Sequence, residues 1–167
     1  MYLAISVVVA ANRKPAYNHA RHTISELAES GSEYSRHVSF GVFLPIAISL
    51  AVIAWLLRSS DPPIAALALS IAAGYGLGAV FPCDPGSPLA GSARQTIHNL
   101  GGGIEYIGGA LSLLWIGESA WHGFRFAGML VGISAILLSF ESRVRGLIQR
   151  IAESCLFLGL LAALWMR

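Results

Sequence analysis

The chain has 167 residues, 55% of them hydrophobic and only 12% charged, with a mean hydropathy of +0.65. Soluble domains carry about 25% charged residues, so an ordinary water-soluble globule is excluded, and a net charge of +2 provides no basic surface for nucleic acid. The length suits one domain, and apolar runs that are continuous rather than alternating exclude a β-barrel. The expectation is therefore an all-α integral membrane bundle of five to six transmembrane helices, forming a single domain over residues 1–167.

Residues 1–11 are apolar but short for a span, and Arg13 and Lys14 follow them. No basic stretch precedes the run, as a signal peptide would require. A short, tilted first helix is the preferred reading, with an interfacial segment as the alternative that reduces the spans to five. Residues 12–37 form a polar loop. Within it Thr23, Ile24, Ser25 and Glu26 have the spacing of a capping box, and Gly31 is a natural helix stop. This predicts a short surface helix over residues 24–30. If that helix continued, His22, Glu26, Glu29 and Glu33 would share a face. His19 and His22 stand three apart, a spacing that can hold a metal but is common by chance.

Residues 38–57 and 64–83 contain no charged residue and match the roughly 30 Å hydrocarbon core of a bilayer. In the second of these, Ala66, Ser70, Gly74 and Gly78 recur every fourth residue and make a small face for close helix approach. Asp84, Pro85 and Gly86 then form a turn sequence at the membrane boundary. The next predicted span, residues 98–117, carries His98, Gly102, Glu105 and Gly109 at i, i+4, i+7 and i+11, one helical face. Gly101, Gly108 and Ser112 flank it. Glu105 lies about 10 Å deeper than His98 along the axis. An ionisable group there costs about 2.5–3.5 kcal/mol to insert, so it is expected to face the bundle interior, with Arg150 or His98 as its partner.

A fifth span covers residues 122–140, where Gly128 and Gly132 make a second small pair, and a sixth covers residues 146–166. The sixth has a polar entry through Gln149, Arg150 and Glu153. The glycines at 74, 78, 102, 109, 128 and 132 are expected in helix packing, inside the bundle or in a homodimer. Cys83 and Cys155 form no Cys-x-x-Cys pair and read as apolar packing.

The arginines and lysines set an orientation. Arg13, Lys14, Arg21, Arg36, Arg94, Arg143 and Arg145 fall in loops 12–37, 84–98 and 141–146, against Arg58, Arg125 and Arg167 on the other side. Seven against three favours the first side as cytoplasmic. Independently of that count, loops 12–37 and 84–98 share a side, because two spans separate them.

The polar residues on that side are the candidates for chemistry. Asp84, His98, Glu105 and Glu26 are the catalytic candidates, and His98, Asp84 and His22 the candidate ligands of a transition metal such as zinc. An Asp84–His98 pair could hold a metal, serve as base and orienting partner, or tie down a loop. A turn-and-cap role for Asp84, and a structural bond between helices for Glu105, are the plainer readings. No Gly-rich phosphate loop, His-Glu-x-x-His or Gly-x-Ser-x-Gly motif is present.

The order of these features resembles a family. An apolar helix is followed by a loop with Ile24, Ser25, Glu26 and Leu27, then by two spans. The second of them ends in Gly78, Ala79, Val80, Phe81, Pro82, Cys83 and Asp84, and a His–Asn pair, His98 and Asn99, opens the next. This is similar to the bacterial and archaeal multi-pass membrane family catalogued as domain of unknown function 998, over nearly the whole chain. Two departures are Ala28, where the family usually has Gly, and a shorter first helix. The resemblance implies a six-helix membrane bundle without an assigned reaction, and Ser25, Glu26, Asp84 and His98 as the matching positions.

Three functions follow, in order of preference. The first is a non-catalytic subunit, or a membrane protein that binds a lipid or small ligand, with membrane lipids and a larger complex or a second copy as its partners. The second is a membrane-embedded hydrolase of a lipid or lipid-linked substrate, in which Asp84, His98 and Glu26 hold a metal or activate water. The third is a proton-coupled carrier that titrates Glu105.

Overall fold

The computed structural model describes residues 2–167 and has six helices joined by loops, the first of which carries a 3₁₀ turn, with no strand among the described residues. They are α1 (Tyr2–Arg13), α2 (Ser35–Leu57), α3 (Pro62–Val80), α4 (Ala93–Ser119), α5 (Gly123–Leu138) and α6 (Arg145–Trp165). Helices α2, α3, α4 and α6 are long and apolar enough to cross a membrane. The protein is a membrane-embedded helical bundle. Helix α1 has 12 residues and α5 has 16, or about 18 and 24 Å at 1.5 Å per residue. Six helices are present as expected, but only four have the length of a span.

The buried faces are small and the exposed faces large, as lipid requires. On α4, Leu100, Ile104, Ile107 and Leu111 are exposed, whereas Gly101, Glu105, Gly109 and Ser112 are buried. The predicted small face of α3 packs inside the bundle. A Cβ on Gly108 would strike Ser70, one on Gly101 would lie 2.8 Å from Leu77 Cβ, and one on Gly74 would run into the Glu105 side chain. Gly109 is closed by Leu156 of α6, and Gly128 by the Ala110 carbonyl at 2.9 Å. Gly78 and Gly132 make ordinary contacts, with His98 and Ala110. Gly102 is the correction: among the described residues a Cβ there would meet only Tyr106 of its own helix, at 3.9 Å, so it makes no close helix–helix contact.

Proline shapes two helices. Pro62 and Pro63 open α3, where no intrahelical N–H is needed. Pro45 lies inside α2 and cannot donate to the Gly41 carbonyl one turn back. The chain relaxes into a π-turn over Ser39–Phe43, and the freed Gly41 carbonyl accepts the Tyr2 hydroxyl of α1. That bond holds α1 alongside the start of α2.

The capping box forms as expected. The Thr23 amide donates to Glu26 Oε1 at 2.8 Å and the Glu26 amide donates to Thr23 Oγ1 at 3.3 Å. The helix it caps is one 3₁₀ turn, Ser25–Ala28, not the helix expected over residues 24–30. Glu29 is already extended, with ψ 146°, and its side chain is taken by Lys14 at 2.8 Å. His22, Glu26, Glu29 and Glu33 therefore share no helical face.

Three polar segments meet at one end of the bundle. The Ser30 amide donates to the Cys83 carbonyl at 2.8 Å, the Leu147 amide to Ala20 at 3.0 Å, and Arg145 Nη1 to the Ser87 carbonyl at 2.9 Å. The opposite end is closed by Arg167, which pairs with Asp61 and donates to Ser60 Oγ at 2.8 Å. Loops 12–37 and 84–98 thus share a side, as their separation by two spans required.

Candidate functional site

Asp84 is the first candidate residue at the loop end, and it works as a clasp. The turn before it forms as its sequence predicts: Gly86 has φ +76° after Pro85, and the Ser87 amide donates to the Asp84 carbonyl at 2.9 Å. The chain then runs back so that Asp84 Oδ2 accepts the Ser92 amide and Oδ1 accepts Ser92 Oγ, both at 2.8 Å, while Arg94 Nη2 donates to Oδ1 at 2.7 Å. The Ser92 backbone bond, followed by the Arg94 and Ser92 side chains, holds the Asp84 carboxyl down at about 2. A Cβ at Gly91 would lie 2.6 Å from Oδ2, so only glycine leaves room for the clasp. Asp84 therefore meets Ser92 and Arg94 rather than His98, and it starts α4 more than a turn ahead of the expected residue 98.

Beneath the clasp the fully buried Gln95 accepts the Asp84 amide at 2.7 Å and donates to the Pro88 carbonyl and to Asn99 Oδ1, each at 2.8 Å. His98 bonds through Nδ1 to the Phe81 carbonyl at 2.9 Å. A carbonyl can only accept, so Nδ1 carries the proton and Nε2 is the acceptor of that ring. Cys83 is fully buried beside the Ser25 carbonyl, and burial pushes its thiol up to about 12. Both cysteines are free.

Arg150, expected beside Glu105, is used elsewhere. Its guanidinium donates to the carbonyls of His19, His22 and Gly146 at 2.7, 3.0 and 2.9 Å and to the Tyr17 hydroxyl at 2.8 Å. The five donors of the guanidinium fit carbonyls that a loop leaves unpaired. His22 Nδ1 accepts the Asn18 amide at 2.9 Å and His19 Nδ1 lies 3.0 Å from Arg150, so this loop is held by arginine. Among the described residues no three His, Cys, Asp or Glu side chains converge as a metal site would need. Glu26 is occupied by its capping box.

The buried polar centre lies deeper, between α3, α4 and α6. Glu153, 6% exposed, accepts Tyr75 through Oε2 and Tyr106 through Oε1, both at 2.9 Å. Gln149 donates to the Tyr106 hydroxyl at 3.0 Å and accepts the Ile24 amide at 2.6 Å, which ties the centre to the polar loop. Glu105, 5% exposed, lies beside Glu153, in the space that Gly74 leaves open. Its Oε1 is buried and meets no hydrogen-bond partner among the described residues.

Both carboxyls line a cavity of about 350 Å³ that also touches Ser25, His98 and Gly102. Of the candidate residues, the cavity brings together His98 and Glu105, with Ser25 from the polar loop. Asp84 and Glu26 stand outside and hold its walls. Tyr75 and Tyr106 were not among the residues expected here, and Gln149 and Glu153 were expected only as the polar entry of the last span. Gln149 and Glu153 are four apart on α6, on the same face as Gly146 and Leu156, a spacing that marks an inward polar stripe. The tyrosines gave no such signal, because a lone Tyr in an apolar span looks like packing.

The family described as "Protein of unknown function (DUF998)" matches residues 1–166. No curated protein and no solved structure matches this chain.

Proposed function

This chain belongs to the DUF998 family of proteins of unknown function, and on that premise we propose that it is a non-catalytic membrane protein that binds a small ligand inside its helix bundle. The observation that carries this reading is Glu105 Oε1, buried without a donor on the wall of a 350 Å³ cavity. A buried acceptor without a partner costs about 1–3 kcal/mol, and a ligand that donates to it recovers that cost. The remaining polar groups support binding rather than turnover. Glu153 accepts two phenols, Asp84 accepts Ser92 and Arg94, and Glu26 accepts Thr23, so each holds shape. The cavity is also the right size for such a ligand, since small-molecule sites span about 300–1,000 Å³.

The site is open where a ligand needs it to be. A Cβ on Gly103 would meet nothing within 4 Å, and one on Gly102 would meet only Tyr106. The cavity there reaches the exposed Ile107 on α4 and Ser139 beyond α5. The test is purification in a mild detergent followed by mass spectrometry of the extracted small molecules, for the wild type and for Gly102→Leu. The expected result is a stoichiometric molecule that the leucine displaces while helical content stays unchanged. A molecule retained by Gly102→Leu overturns the reading, and stable co-purification of other chains with an empty cavity makes the protein a subunit of a complex instead.

A further inference from the structure

We propose that the cavity takes an organic cation with a short apolar tail, its ammonium seated against Glu105 and Glu153 and its tail lying along the open wall at Gly102 and Gly103. This rests on the reading that the cavity binds a ligand, and it names the chemical class. Three observations carry it. The first is charge: two carboxyl side chains stand together in the bundle interior, and among the described residues no ion pair reaches either one. The cation nearest in sequence, Arg150, spends its guanidinium on Tyr17 and on loop carbonyls. Acidic groups within a bundle are normally paired; these two can share one proton between them, and a cation that enters the cavity meets whatever negative charge the pair keeps.

The second observation is the free acceptor. Glu153 takes a phenol on each oxygen, whereas Glu105 Oε1 takes nothing, so one directed donor position is left on the acidic pair. The third is the surrounding surface. Phe43, Tyr75 and Tyr106 line the same cavity, with the Phe43 and Tyr75 rings edge to face at 5.5 Å. Aromatic rings beside a carboxyl attract an ammonium, and more strongly once it is desolvated. An anion is disfavoured at this depth by the two carboxyls. Arg145 also lines the cavity, with Nη1 on the Ser87 carbonyl and Nε buried without a partner among the described residues, but it is eight residues before Glu153 on α6, about 12 Å nearer the loop end, so an anion would seat there and not against Glu105.

The test uses the full chain in lipid nanodiscs, titrated by calorimetry at neutral pH with hexylammonium chloride, hexan-1-ol and sodium hexanoate. Hexylammonium is expected to bind once per chain and at least tenfold more tightly than the other two. Glu105→Gln is expected to weaken it at least tenfold. Gly103→Leu, whose Cβ meets nothing within 4 Å, is expected to block it while helical content stays unchanged. Equal or tighter binding of hexanol or hexanoate, still blocked by Gly103→Leu, overturns the cation and leaves the ligand cavity standing. Absence of hexylammonium binding to the wild type, or binding that Gly103→Leu does not change, also overturns it. The cavity reading is then decided separately, by what the purified protein carries.

Discussion

Glycines 74 and 103 have the same side chain and opposite duties. Gly74 is the floor on which Glu105 rests, and a methyl group there would overlap the carboxyl and its stem. Gly103 faces open space. Gly74→Ala is therefore expected to destabilise the protein by about 1–3 kcal/mol through overpacking. Gly103→Ala is expected to be neutral or to stabilise by up to about 1 kcal/mol through helix propensity. Reversible unfolding in mixed micelles measures both, and equal losses would mean that Glu105 does not sit against Gly74. Tyr75→Phe removes one of the two phenols on Glu153 and should cost about 1 kcal/mol, the usual scale of a hydrogen bond between membrane helices. The Glu105 stripe was legible from its i, i+4, i+7 spacing. Its partner was not, because Arg150 and Glu153 are both near the start of α6 and spacing alone does not tell which of them turns inward.

Helix ends are governed by the segments that precede them. Helix α4 begins at Ala93 because Ser92 caps it and Asp84 reaches over eight residues to hold Ser92. The Asp84 carboxyl lies below its ordinary value of 3.8 in the folded state. Its stabilising effect is thus complete above about pH 4 and lost as the pH falls through about 2. Asp84→Asn should remove that acid-sensitive component: melting temperature measured between pH 6 and pH 2 should fall less steeply in the variant than in the wild type. A parallel fall would mean that other carboxyls set the acid limit. The turn at Asp84, Pro85 and Gly86 and the capping box at Thr23 were both readable locally, since each is made by residues within a few positions. The length of the helix after the capping box was not, because the chain leaves the helix at Glu29 to meet Lys14 of a different segment.

At the scale of the whole molecule, the bundle has a tied end and an open flank. Loops 12–37, 84–98 and 141–146 are joined at one end, through Ser30 to Cys83, Arg94 to Ser30, Gly86 to Glu29 and Arg145 to Ser87. Arg167 and Asp61 mark the other end. Single cysteines introduced at the exposed Glu33 and Arg143, in a chain lacking its native ones, should react with an impermeant maleimide from the same face of sealed vesicles. One at the exposed Arg58 should react only from the opposite face. In the native chain at pH 8, Cys83 should stay unmodified, because its buried thiol is raised to about 12 and only the thiolate reacts. Residue order alone was enough for the membrane class, the all-helical architecture, the shared side of the polar loops and the small face of α3, because each follows from hydropathy, length or spacing along one element. Only the tertiary structure decided that Asp84 clasps Ser92 and Arg94 instead of meeting His98, that Arg150 ties a loop instead of Glu105, and that Glu105 meets Glu153 on a cavity wall. Those outcomes depend on which of several competing donors comes within hydrogen-bond reach once the helices pack, a choice settled by interhelical distances of a few ångströms that no residue spacing encodes.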